Sequence, residues 1–252
     1  MQYFVNNPSI VREIWGKSDT ILFIFAGASA EFALNKAVDW LYFTGKLPKD
    51  PLGRLFSTVN YARLIVFSEM EAANAAIDKI AAIHTAVENS RGGKIPDWAY
   101  RDVLFMLIHY SISSFEVLER KLTIPEKEEV FDVFYRVGVR MELKELPQSY
   151  SQWLSARETH LQQDLIKSDF TKDLYKQYKK HLGFYRYFLL IEGQKLVVPK
   201  RVAALLGFNK ILLLHPILCA YKLAKKIRMD GLLKSAILPK AYKDEIKALD
   251  VV

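Results

Sequence analysis

The residues able to do chemistry in this 252-residue chain are five histidines, one arginine–threonine pair and a single cysteine. His84 shares a helical face with Ile77, Ile80 and Val87, which periodicity buries. His109 sits in the middle of the most apolar helical stretch. His160 and His181 fall in charged segments that read as water-facing, and His215 precedes Pro216 in an apolar run near the end. An imidazole on an apolar face is either a core group with one hydrogen bond or a ligand for a metal or haem iron. Arg54 and Thr58 stand at i and i+4 on one helix face, with Ser57 beside them. A guanidinium there suits carboxylates. The plainer reading is an exposed Arg and a Thr hydroxyl bonded back to a carbonyl.

Several chemistries are excluded. Cys219 has no second cysteine to pair with, which removes internal disulfides, cysteine-cluster zinc, cysteine-ligated iron–sulfur centres and CxxCH haem attachment. A reducing, cytoplasmic setting is the expectation. GxGxxG, P-loop, GxSxG and HExxH patterns are missing, and Gly92-Gly93 is too short to cradle a phosphate. Basic residues interleaved with aromatics are sparse outside the tail, so no nucleic-acid partner is expected.

The net charge of +8 is concentrated at one end. Residues 1–194 hold 24 Lys+Arg against 24 Asp+Glu; residues 195–252 hold 12 against 4, so 12 − 4 = +8. Lys222, Lys225, Lys226 and Arg228 follow the apolar run Ile211–Tyr221, which points to an anionic membrane surface contacted through 211–240, against the plainer reading of a solvated charged face. Ala203–Tyr221 is interrupted by Asn209, Lys210, His215 and Pro216, and so reads as a core or interfacial segment rather than a span. Ile21–Ala28 imitates a signal peptide, but Glu13, Asp19 and the polar start argue for an internal core helix.

These residues must be positioned almost entirely by helices. Ser9 caps a first helix; residues 20–44 are apolar and end at Gly45; Asp50-Pro51 opens the helix of Arg54 and Thr58. Glu69–Glu88 is Ala-rich at helical spacing, and Ser90–Lys94 is a loop. Asp97–Lys121 is apolar all round at Val103–Ile108, the mark of a buried central helix. Helices follow from Thr123, Ser149 and Thr171, with Thr20–Phe25 and Lys195–Val198 the only strand-like runs. The expectation is an all-α, single-domain helical bundle with a buried central helix. Residues 1–210 form the main helical domain and 211–252 a basic helical extension packed on it.

The segment Asp50-Pro-Leu-Gly-Arg54-Leu-Phe-Ser57-Thr58-Val-Asn-Tyr61, followed by Ile80-Ala-Ala-Ile-His84-Thr-Ala-Val87, resembles the catalytic domain shared by MpaB-type oxygenases and rubber oxygenase (latex clearing protein). In that family an R-x-x-x-T helix precedes H-x-x-V by about thirty residues; here 84 − 54 = 30. Asp97–Tyr100 through Leu107-Ile-His109 and Phe115-Glu116, then Ile124-Pro-Glu, Leu146-Pro147 and Val198-Pro-Lys-Arg201 with Leu206-Gly207, continue the similarity over roughly residues 10–210. The resemblance implies a cleft binding one non-covalent haem b, with His84 as the iron ligand and His109 a second candidate. Arg54 and Thr58 fall on the family's pocket residues. It implies O2-dependent cleavage of a carbon–carbon double bond in an apolar, lipid- or terpenoid-like substrate. The alternative is a non-catalytic haem-binding or peripheral membrane module. Three positions depart from the family: Ser57 replaces rubber oxygenase's Lys, Val38 stands where an acid is expected, and Asn35-Lys36 replaces His-Pro.

Overall fold

In the computed structural model, residues 2–45, 49–209, 211, 213, 216, 218 and 222 are described, without the side chains of Leu41, Pro51, Leu52 and residues 54–56. They form an all-α domain: α1 Ile10–Trp15, α2 Ser18–Phe32, α3 Asp39–Phe43, α4 Pro51–Phe67, α5 Met70–Arg91, α6 Asp97–Leu118, α7 Ile124–Arg140, α8 Tyr150–Gln163, α9 Asp169–Val197 and α10 Lys200–Leu206. Both strand-like runs lie largely in helix, Thr20–Phe25 in α2 and Lys195–Val197 in α9. Extended pairing among the described residues is limited to the isolated bridges Tyr3–Glu69 and Asn35–Leu165. The basic extension falls almost wholly outside the described residues.

Local sequence sets the helix ends. The Ser9 hydroxyl accepts from the amides of Val11 and Arg12. Asp50 accepts from the Gly53 amide with Pro51 at the first turn of α4. Thr123 and Glu126 form a reciprocal capping box on α7, and Ser168 and Thr171 do the same on α9. α5 stops at Gly92, whose φ of 72° is the left-handed conformation that glycine adopts without a Cβ penalty.

α6 is the central element, as its composition predicts. Leu104, Phe105, Met106, Ile108, Tyr110, Ile112, Phe115 and Leu118 are all buried, although Val103 is exposed. Its largest interface is with α2, and it also packs against α1, α7, α8 and α9. The α2–α6 approach is close enough that a Cβ added at Gly27 would lie 2.2 Å from the Tyr110 ring. One core unites α1, α2 and α4 to α9, with Trp15 and Trp153 enclosed. No helix among the described residues is long and apolar enough to cross a membrane.

Candidate functional site

Arg54 and Thr58 are carried by α4, and His84 by α5. The two helices are joined through Ser68 and Glu69 and pack together as a hairpin. Counted from the turn, Arg54 is 67 − 54 = 13 residues back and His84 is 84 − 70 = 14 residues on. At 1.5 Å per residue both backbones lie about 20 Å from the turn, so they are level; Thr58 lies one turn nearer. The hairpin thus sets the backbones of three positions spread over thirty residues of sequence at similar heights. Thr58 is half-buried, and the Arg54 side chain lies outside the described set.

His84 is half-buried and stacks at a tilt on Tyr100 of α6, with ring centroids 5.1 Å apart. One turn on, Glu88 accepts hydrogen bonds from the Tyr100 hydroxyl (3.0 Å) and the Ile95 amide (2.9 Å), fixing α5 against the start of α6. Burial and then the Glu88 carboxylate push the Tyr100 phenol up from its ordinary range, so Tyr100 stays protonated. The apolar face expected to be buried around His84 is only partly so. Ile80 and Val87 are half-buried and Ile83 is 42% exposed. Small residues Ala81, Ala82 and Ala86 surround the imidazole in sequence. The His84 imidazole is a donor of the type that haem iron takes, and it stands beside the exposed Ile83 at the height of the Arg54 backbone.

His109 belongs to a different place. It is 109 − 100 = 9 residues beyond Tyr100, which on α6 is about 13 Å further along and half a turn round. His84 and His109 therefore do not converge on one site. Burial, and then the charge of Arg157, lower the His109 pKa to about 4, leaving a neutral imidazole near the Val197 carbonyl. Its Nε2 is buried with no hydrogen-bond partner.

The densest electrostatic feature involves a histidine that sequence reading placed in water. His160 is 3% exposed. Its Nε2 donates to Glu31 Oε1 (3.0 Å) and its Nδ1 to Asp102 Oδ1 (2.7 Å), with Asp164 Oδ2 at 3.3 Å. Arg157 makes a two-pronged ion pair with Glu31. The Tyr110 hydroxyl donates to Glu31 at 2.8 Å, and Asn35 donates to Asp102 at 3.2 Å. Three helices supply the charges: α2 gives Glu31, α6 gives Asp102 and Tyr110, and α8 gives Arg157 and His160. Burial alone would raise the Glu31 pKa; Arg157 and His160 outweigh it and hold the carboxylate well below its usual range. Burial alone would lower the His160 pKa; Asp102 and Glu31 outweigh it and lift it to about 9. Asp102 moves up, since burial exceeds the help of His160 and Asn35. A signal existed in the sequence: Arg157 and His160 of α8 and Asp164, which caps it, are spaced i, i+3, i+7. Asp102, His160 and Asp164 also have the donor chemistry of a metal site, with ligand atoms within 4.8 Å of one another. Each imidazole nitrogen already has a carboxylate partner, so a protonated His160 satisfies the group as it stands.

Residues 16–221 match the ER-bound oxygenase mpaB/B′ and rubber oxygenase catalytic domain. The chain belongs to this oxygenase family. No curated protein and no solved structure matches it. The matched span contains Arg54, Thr58, His84 and His109 as well as the whole buried ionic group. Family membership makes the chain an oxidoreductase that uses O2 on a small molecule.

Proposed function

We propose that this member of the family is a haem b-dependent oxygenase that cleaves a carbon–carbon double bond in an apolar, lipid- or terpenoid-like substrate. The observation that carries the reading is the α4–α5 hairpin. It sets His84 at the height of the Arg54 backbone, beside the exposed Ile83. In this reading His84 ligates the iron through one nitrogen and donates its other N–H to a neighbouring acceptor, which fixes the ring. Arg54 pairs with haem propionates by charge-assisted hydrogen bonds. Thr58, a turn away, offers a hydroxyl to orient a polar atom beside the macrocycle. When bound, haem supplies an iron centre for O2 activation. The exposed Ile83 beside half-buried Ile80 and Val87 gives α5 an apolar strip next to His84, which favours an unsaturated hydrocarbon over a polar substrate.

The test is the visible spectrum of purified protein titrated with hemin. A Soret band that H84A abolishes and H109A leaves in place supports the reading. A protein that stays colourless after hemin addition overturns it. Oxygen uptake with candidate alkenes then separates turnover from haem carriage, a distinction given point by Ser57 in the position of rubber oxygenase's lysine.

A further inference from the structure

α9 changes character at Gly183. Upstream, Leu174 and Tyr178 are buried against α2. Gly183 has φ 71° and ψ 175°, non-helical values that kink the element. Immediately after it, Phe184 is 80% and Tyr185 58% exposed, and Phe188 is also exposed one turn on. Large rings left this far in water, three within five residues, are not scattered surface apolars.

Along this stretch of the helix the charged residues have one sign. From Leu174 to Ile191 there is no Asp or Glu, while Lys176, Lys179, Lys180 and Arg186 are present. Lys176, Lys179, Lys180 and His181 are exposed. The exposed apolar surface resumes at the other end of the helix. There the Leu213 amide donates to Glu192 at 2.8 Å, Lys195 reaches the Ile211 carbonyl at 3.4 Å, and both Ile211 and Leu213 are exposed. The segment carrying the chain's +8 excess starts at that end.

We propose that the Gly183 knuckle is a docking surface for an anionic lipid bilayer. Phe184, Tyr185 and Phe188 enter the boundary between headgroups and acyl chains, while Lys176, Lys179 and Lys180 meet lipid phosphates. Aromatic rings are favoured at that depth, and basic side chains nearby gain from the negative surface potential. A protein partner fits less well, because lysine is depleted at protein interfaces. Single-stranded nucleic acid stacks on aromatics inside a groove that follows its backbone, whereas these rings protrude. The proposal stands on α9 alone and does not depend on haem.

Vesicle flotation of the full chain tests it, with phosphatidylcholine vesicles with and without phosphatidylserine. The wild type should float with the anionic vesicles and be released by salt. F184S/Y185S/F188S should weaken partitioning about tenfold or more, since each buried ring contributes a large apolar area. K176Q/K179Q/K180Q should lose the preference for phosphatidylserine; all six positions are exposed, so both variants keep the fold, read by an unchanged circular-dichroism spectrum. Absence of flotation by the wild type overturns the proposal. So does flotation of the aromatic variant equal to wild type, which assigns the contact to the tail. An aromatic-dependent self-association or binding to single-stranded RNA, without flotation, also overturns it.

Discussion

The most consequential single residue for stability is Glu31. Its carboxylate is completely enclosed and accepts from Arg157, His160 and Tyr110 at once. Glu31→Gln keeps the shape and removes the charge, leaving the buried Arg157 guanidinium without its counter-ion. Breaking a buried pair in this way costs about 3–5 kcal/mol. Urea denaturation should show that loss, and Asp164→Asn, at the more exposed edge of the group, should cost under about 1 kcal/mol. Equal midpoints for Glu31→Gln and wild type would remove the brace from the account. At this scale, what the sequence makes legible is the placement of Arg54, Thr58 and His84 on two adjoining helices, because their spacing is local. The role of His160 is not, because hydropathy scores Arg157, His160 and Asp164 as a solvated face. Their partners Glu31 and Asp102 lie far away in the chain, so only the tertiary fold reveals that opposite charges pair inside.

Helix existence is legible from caps and periodicity. Asp50-Pro51, Gly92, Thr123 with Glu126 and Ser149 all mark the ends found. Two element-level features are not. The apolar stretch 20–44 breaks after Phe32, because the next turn is used to pair with the end of α8: the Ile166 amide donates to the Leu34 carbonyl at 2.7 Å and the Lys36 amide to Asp164 at 2.9 Å. That tie also places Asp164 beside His160. The second feature is the close α2–α6 crossing at Gly27, which no periodicity encodes. Gly27→Ala drives a methyl group into the Tyr110 ring, and the ring cannot retreat without pulling its hydroxyl off Glu31. The expected cost is about 1–3 kcal/mol, read as a lowered thermal midpoint. Gly183→Ala meets no neighbour within 4 Å, so its cost comes only from backbone conformation. With φ 71° and ψ 175° that conformation is essentially restricted to glycine, and the penalty is about 1–3 kcal/mol. The two variants separate by a compensating change: Tyr110→Ala relieves Gly27→Ala in part and leaves Gly183→Ala unaffected.

For the whole molecule, the buried ionic group ties α2, α6 and α8 together, and its protonation couples global stability to pH. His160 has a folded-state pKa of about 9 against an ordinary value of 6.5. Its stabilising contribution is therefore complete below about pH 6.5 and is lost as pH rises through 9. Glu31 titrates in the opposite sense, because its pKa is held below the ordinary 4.5: its contribution is present above that value and fades as the solution is acidified. Asp102 is raised by burial from its ordinary 3.8, so its charged form costs some stability as pH rises from that value, a change separate from the alkaline loss that His160 sets. The brace is thus strongest near neutrality and weakens on both sides. The His160 contribution is on the order of 3 kcal/mol, from about 1.4 kcal/mol for each pH unit between the two values. Urea midpoints between pH 6 and pH 10 measure it directly. Wild type should lose stability steadily above pH 7, and His160→Gln, lower at pH 6, should show a flatter alkaline limb, so that the two curves converge as His160 deprotonates. Curves that stay parallel across this range mean that His160 is not charged in the folded protein, and Asp102 and Asp164 would then need another source of compensation.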